Sequence, residues 1–124
     1  MKSKEILDLF GKLLIAEVYD EYMSFFKSDI DDLRKTERFK NLFANMTFVQ
    51  KTELENLSFE LLSGLLFDFL RIFEENDEFK LIYEAEGERI DLMKISEMLK
   101  AEPIIEGGWI ARFSKFTDKR DKGG

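Results

Sequence analysis

Eight carboxylates crowd residues 74–91 (Glu74, Glu75, Asp77, Glu78, Glu84, Glu86, Glu88 and Asp91), with only Lys80 and Arg89 to offset them. That stretch carries a net −6, nearly all of the −7 of the 124-residue chain. Neighbouring carboxylates can act as acid and base in glycoside hydrolysis or hold a hard divalent cation. These two chemistries stay open; most others are closed by what is missing. The chain has no Cys and no His. A thiolate nucleophile, a disulfide scaffold and the usual structural zinc sites are therefore excluded, as is an imidazole base. No Gly-rich phosphate loop, Walker sequence or nucleophile elbow occurs. Asp29-Ile30-Asp31-Asp32 suggests a calcium loop, but counted from Asp29 the pattern needs Gly at position 34 and Glu at position 40, where Arg34 and Lys40 stand. Those aspartates read as the start of a helix. The expectation is a non-enzymatic protein with no metal and no cofactor.

The acidic segment has two readings. In one it is a solvated helix end and a hairpin edge guarded by charge against aggregation. In the other it is a docking surface: Glu74, Glu75, Asp77, Glu78, Glu84, Glu86 and Glu88 complement a basic partner, and Tyr83 anchors the contact, since aromatic rings dominate interface hot spots. Like charges at this density repel, and a cationic partner relieves that cost. The C-terminus leans the other way, with Arg112, Lys115, Lys119, Arg120 and Lys122 against Asp118 and Asp121. A pI near 4.8 argues against binding nucleic acid or an anionic membrane directly. Aromatic and basic residues interleave between Trp109 and Phe116, a pattern found in single-strand binders, but closure of the core explains it better in an acidic chain.

Thirteen Phe, three Tyr and one Trp supply core, and 36% charged residues supply surface, so the chain folds as one domain, expected over residues 1–118 with 119–124 as a disordered tail. Ser3 and Glu5 suit a helix start. From there Ile6, Leu9, Phe10, Leu13, Leu14, Val18, Tyr22 and Phe25 recur at helical spacing to about Phe26. A second, weaker stripe follows Ser28 and runs through Ile30, Leu33, Phe39, Leu42, Phe43 and Met46. Residues 45–49 read as a connection, and Thr52 with Glu55 has capping-box spacing that opens a third helix. In Leu61–Phe73 that helix is apolar on nearly every side, which predicts partners all around it, and Gly64 predicts close approach of a neighbouring backbone.

Past Glu78 the period becomes two: Phe79, Leu81 and Tyr83 alternate with polar or opposite-facing residues, Glu86-Gly87 turns, and Glu88–Leu92 returns as a β-hairpin with Gly87 at positive φ. Ile95, Met98 and Leu99 predict a short helix before Pro103, which restricts Glu102 to extended backbone. Residues 107–116 fit a third strand or a short helix, and alternation of Trp109, Ala111 and Phe113 favours the strand. The fold class is mainly α: a three-helix core, then a small hairpin and a C-terminal closing segment (α+β). Leu61–Phe73, interrupted by Asp68 and Arg71, is too short to span a bilayer, and Met1-Lys2-Ser3-Lys4 opens no signal peptide, so a cytoplasmic protein is expected.

Gly107-Gly108-Trp109-Ile110-Ala111-Arg112-Phe113-Ser114, following the hairpin Phe79-Lys80-Leu81-Ile82-Tyr83…Gly87…Ile90 and the helices before it, resembles the small acidic immunity proteins of bacterial polymorphic and contact-dependent toxin systems. The likeness covers about the C-terminal two-thirds of the chain. It implies a role rather than particular residues: neutralising one cognate toxin, often a nuclease, by tight binding. A phage-type nucleic-acid mimic that inhibits a host nuclease would use the same acidic surface. A structural or regulatory adaptor would use the helical groove near Gly64. The expected partner is a toxin with a basic surface, bound by a monomer or a homodimer.

Overall fold

The computed structural model describes residues 2–28 and 30–116. The expected tail 119–124, with its three cations, and Asp29 lie outside the described residues. The architecture is mainly α with one small antiparallel hairpin. Helix α1 (Ser3–Leu14) passes through a π-helical turn (Ile15–Tyr19) directly into α2 (Asp20–Ser28). Two short pieces follow, α3 (Ile30–Arg34) and α4 (Lys40–Phe43), and then the longest helix, α5 (Phe48–Glu75). Strands β1 (Ile82–Ala85) and β2 (Glu88–Asp91) form the hairpin. Helix α6 (Leu92–Ile95), a 3₁₀ turn (Leu99–Ala101) and α7 (Trp109–Phe113) close the chain.

The main core gathers Ile6, Leu7, Ile15, Tyr19 and Met23 from the first helical run, Leu66 and Leu70 from α5, and Leu92, Leu99, Trp109 and Ile110 from the C-terminal segment. The closing segment, rather than the weak second stripe, supplies the third wall. Trp109 is its centre. It is 0% exposed, and its ring meets Phe10 edge-on at 5.7 Å. The indole lies against Gly11, where an added Cβ would stand 2.6 Å from three ring atoms. Gly11 thus permits close approach of a side chain, and Gly108 close approach of backbone, since its added Cβ would collide with the Glu102 carbonyl oxygen. Gly64 serves neither purpose: it is exposed, with nothing within 4 Å of where its Cβ would be.

Two clamps hold the closing segment on α1 and α2. Buried Asp20, at the end of the π-turn, accepts hydrogen bonds from Ser114 Oγ (2.6 Å) and the Lys115 backbone N–H (3.0 Å). Arg112 Nη2 donates to Asp8 Oδ1 at 2.9 Å. That hydrogen bond, reinforced by the guanidinium's charge, holds the Asp8 carboxyl below its ordinary pKa and raises that of Arg112.

Several local expectations are corrected. The N-cap of α1 is Lys2, whose N–H reaches Glu5 Oε2 at 3.4 Å, and Ser3 is already helical. The cap of α5, Thr47, lies five residues before the expected one, Thr52. Thr47 Oγ1 accepts from Gln50 N (3.1 Å) while Gln50 Oε1 accepts from Thr47 N (2.9 Å), a reciprocal capping box. Thr52 lies inside the helix and bonds back to the Phe48 carbonyl at 3.1 Å. The short helix expected around Ile95–Leu99 splits into α6, capped by Asp91, and the 3₁₀ turn. Glu102 is helical (φ −51°, ψ −42°) despite preceding Pro103, because its N–H bonds Leu99 O and its own carbonyl receives the Trp109 N–H.

Residues 109–113 form a helix, not the favoured strand. The carbonyls of Glu102 and Pro103 take the N–H groups of Trp109 (2.9 Å) and Ile110 (3.1 Å), satisfying the helix start. This geometry also buries both adjacent side chains, which a strand would send to opposite faces.

Helix α5 is not enclosed on all sides. It packs on α2, on the π-turn through Tyr19 edge-on to Phe59, and on the 3₁₀ turn, while Leu57, Leu61, Leu65, Phe69 and Ile72 stay 46% to 64% exposed. Among the described residues no helix is long and apolar enough to cross a membrane.

Candidate functional site

The hairpin forms because its turn chemistry and pleat agree. Glu86 (φ 52°) and Gly87 (φ 80°) make a two-residue turn with both central residues left-handed, the geometry that matches strand twist. The register pairs Ile82 with Asp91, Tyr83 with Ile90, Glu84 with Arg89, and Ala85 with Glu88. Side chains alternate across the pleat, so Tyr83, Ala85, Glu88 and Ile90 share one face and Ile82, Glu84, Arg89 and Asp91 the other. Tyr83 and Ile90 pack against the core, which makes theirs the inner face.

This register divides the acidic segment. Glu84 points outward and meets Arg89 Nη1 at 3.6 Å across the strands, whereas half-buried Glu88 lies on the inner face. Glu74 is committed to structure: one carboxylate oxygen accepts the Lys100 N–H at 3.0 Å and the other faces Lys100 Nζ at 3.4 Å. An acid is unfavourable at a helix C-terminus, and here the Lys100 N–H and ammonium offset that cost. Glu75 pairs with Arg71 at 3.3 Å. Asp91 caps α6 through Met93 N (3.0 Å) and faces Lys80 at 3.8 Å. Asp77, Glu78 and Glu86 remain: all three are exposed, with no ion-pair partner among the described residues. They flank the hairpin, Asp77 and Glu78 at its base and Glu86 at its tip.

Beside them lies a feature the sequence concealed. A groove of about 120 Å³ opens between α1 and β1, lined by Ile6, Leu9, Phe10 and Leu13 on one wall and by Leu81, Ile82 and Tyr83 on the other, with Leu92 at its floor. Its volume approaches the ~150 Å³ that accepts a benzene-sized group, so one apolar side chain fits. The α1 residues read as a continuous core stripe, yet Leu9 and Leu13 are 40% and 49% exposed. The only sequence signal was the stripe's excess width for a helix with one buried face. Tyr83, expected as an exposed anchor, is half-buried and forms part of this wall.

No protein-family model matches the chain, and no curated protein or solved structure matches it either. The site must be read from its own chemistry. Among the described residues no three acidic groups converge as a cation cage. The arrangement can grip a protein surface: a preformed apolar slot takes a side chain, and free carboxylates at both ends of the hairpin receive Lys or Arg.

Proposed function

We propose that this chain is a non-enzymatic inhibitor of the immunity type, acting in the cytoplasm by binding a toxin with a basic surface. The reading is carried by one observation, the apolar α1–β1 groove walled by the hairpin whose base and tip carry carboxylates with no ion-pair partner among the described residues. The groove supplies the dry centre of an interface, and Asp77, Glu78 and Glu86 supply its charged rim. Rim charge mainly raises the association rate, which suits a protein that must act before damage accumulates. A protein partner is favoured over nucleic-acid mimicry, because a mimic needs carboxylates ranged along one face, while the hairpin register turns Glu84 and Glu88 to opposite sides. The test is co-expression with the toxin encoded beside this gene. Cells survive with the wild-type protein and lose protection when Leu9→Arg blocks the groove. Survival unaffected by Leu9→Arg removes the groove from the mechanism, and death with the wild type against every neighbouring toxin refutes immunity.

A further inference from the structure

We propose that the bare face of α5 is covered by a second copy of this chain, the two helices lying antiparallel about a two-fold axis between residues 65 and 66. Leu57, Leu61, Leu65, Phe69 and Ile72 step along one side of the helix at intervals of four and three residues, and all are roughly half exposed or more. Five such side chains leave on the order of 500 Å² of apolar surface, the upper range of what a monomer exposes in one patch. With the polar residues at its margins this approaches the ~800 Å² per partner that a standard stable interface buries. Residues 117–124 (Thr-Asp-Lys-Arg-Asp-Lys-Gly-Gly) offer no apolar side chain to lay on it.

Charge at the margin selects the antiparallel arrangement. Glu60 and Arg71 lie along the same edge of the stripe, eleven residues apart, three helical turns. A two-fold perpendicular to the helices keeps each edge against the same edge of the partner. Centring it between residues 65 and 66 sets Glu60 of each copy level with Arg71 of the other, twice over. A parallel pair would instead send the two copies of this edge to opposite sides of the seam, where Glu60 and Arg71 do not meet. Arg71 lies 3.5 Å from Asp68 and 3.3 Å from Glu75 within its own chain, so it is already held at this edge.

The chain contains no Cys, which makes single-cysteine cross-linking a clean test. Leu65→Cys is expected to form a disulfide-linked dimer rapidly under mild oxidation. Leu57→Cys is expected not to, because the two copies of residue 57 would stand about 25 Å apart. By sedimentation the unmodified protein should have twice the 14.7 kDa of one chain. Leu65→Glu should make it monomeric at the same concentration, its circular dichroism unchanged because Leu65 is 61% exposed in one copy. Glu60→Arg and Arg71→Glu should each weaken the dimer at least tenfold, and the double exchange should restore it. A monomeric wild type at 100 µM, a dimer indifferent to Leu65→Glu, or cross-linking through residue 57 would each overturn the proposal. So would failure of the charge exchange to rescue.

Discussion

Replacing Gly11 by alanine places a methyl carbon 2.6 Å from Cγ, Cδ1 and Cδ2 of Trp109. Ordinary carbon contacts begin near 3.5 Å, so helix and indole must separate by about 0.9 Å. The ring cannot yield toward solvent: Trp109 is 0% exposed and braced edge-on by Phe10. Over-filling a packed core costs about 1–3 kcal/mol and occasionally more, and a rigid ring met at three atoms belongs at or above the top of that range. Alanine returns about 1 kcal/mol of helix propensity. The net is a destabilisation of about 2 kcal/mol, or a fall in Tm of roughly 6–12 °C for a chain of this size. Urea titration followed by the fluorescence of Trp109, the single tryptophan, measures it directly. Gly64→Ala, with nothing within 4 Å of the new carbon, is the matched control and should gain about 1 kcal/mol in dilute protein. A Gly11→Ala protein as stable as the wild type would show that α7 does not seat its indole on this glycine.

Three further outcomes follow from the same geometry. Asp20→Ala removes the buried acceptor of Ser114 and Lys115 and should cost about 2–3 kcal/mol, with faster hydrogen exchange in residues 109–116; exchange unchanged there would contradict the clamp. Glu86 occupies a left-handed position that Asn adopts more readily, so Glu86→Asn should raise stability by about 0.5–1 kcal/mol in a thermal melt, while removing one rim charge. Asp8 has a folded pKa below its unfolded value, so its pair with Arg112 stabilises fully above about pH 4 and is lost as pH falls through the folded pKa. Asp8→Asn should therefore lower stability by up to about 1 kcal/mol at pH 7, a loss that shrinks as pH falls through the folded pKa.

Much of the fold was legible because apolar period is a direct record of burial. The first helical run, the long helix and the hairpin with Gly87 at positive φ stand where period and turn chemistry place them. Caps were less legible, because Thr47-Gln50 and Thr52-Glu55 offer the same spacing and only packing decides between them. Residues 109–113 deceived for a similar reason. Their alternation is real, but two carbonyls from the preceding loop, invisible in the sequence, complete a helix start. Apolar run length overstated the enclosure of α5, since a sequence records that a side chain is apolar and not whether its own chain covers it. The acidic site was legible as composition only. Which carboxylates stay free depends on register and on distant Lys100, neither of which charge counting can supply.

We propose that the exposed carboxylates flanking the hairpin, Asp77, Glu78 and Glu86, recruit a basic protein. The association rate with the purified cognate toxin, measured at low and high salt for the wild type and for Asp77→Lys/Glu78→Lys/Glu86→Lys, tests it most directly. At low salt the triple variant should associate at least tenfold more slowly, a gap that narrows as salt rises. Equal rates at both ionic strengths would contradict it.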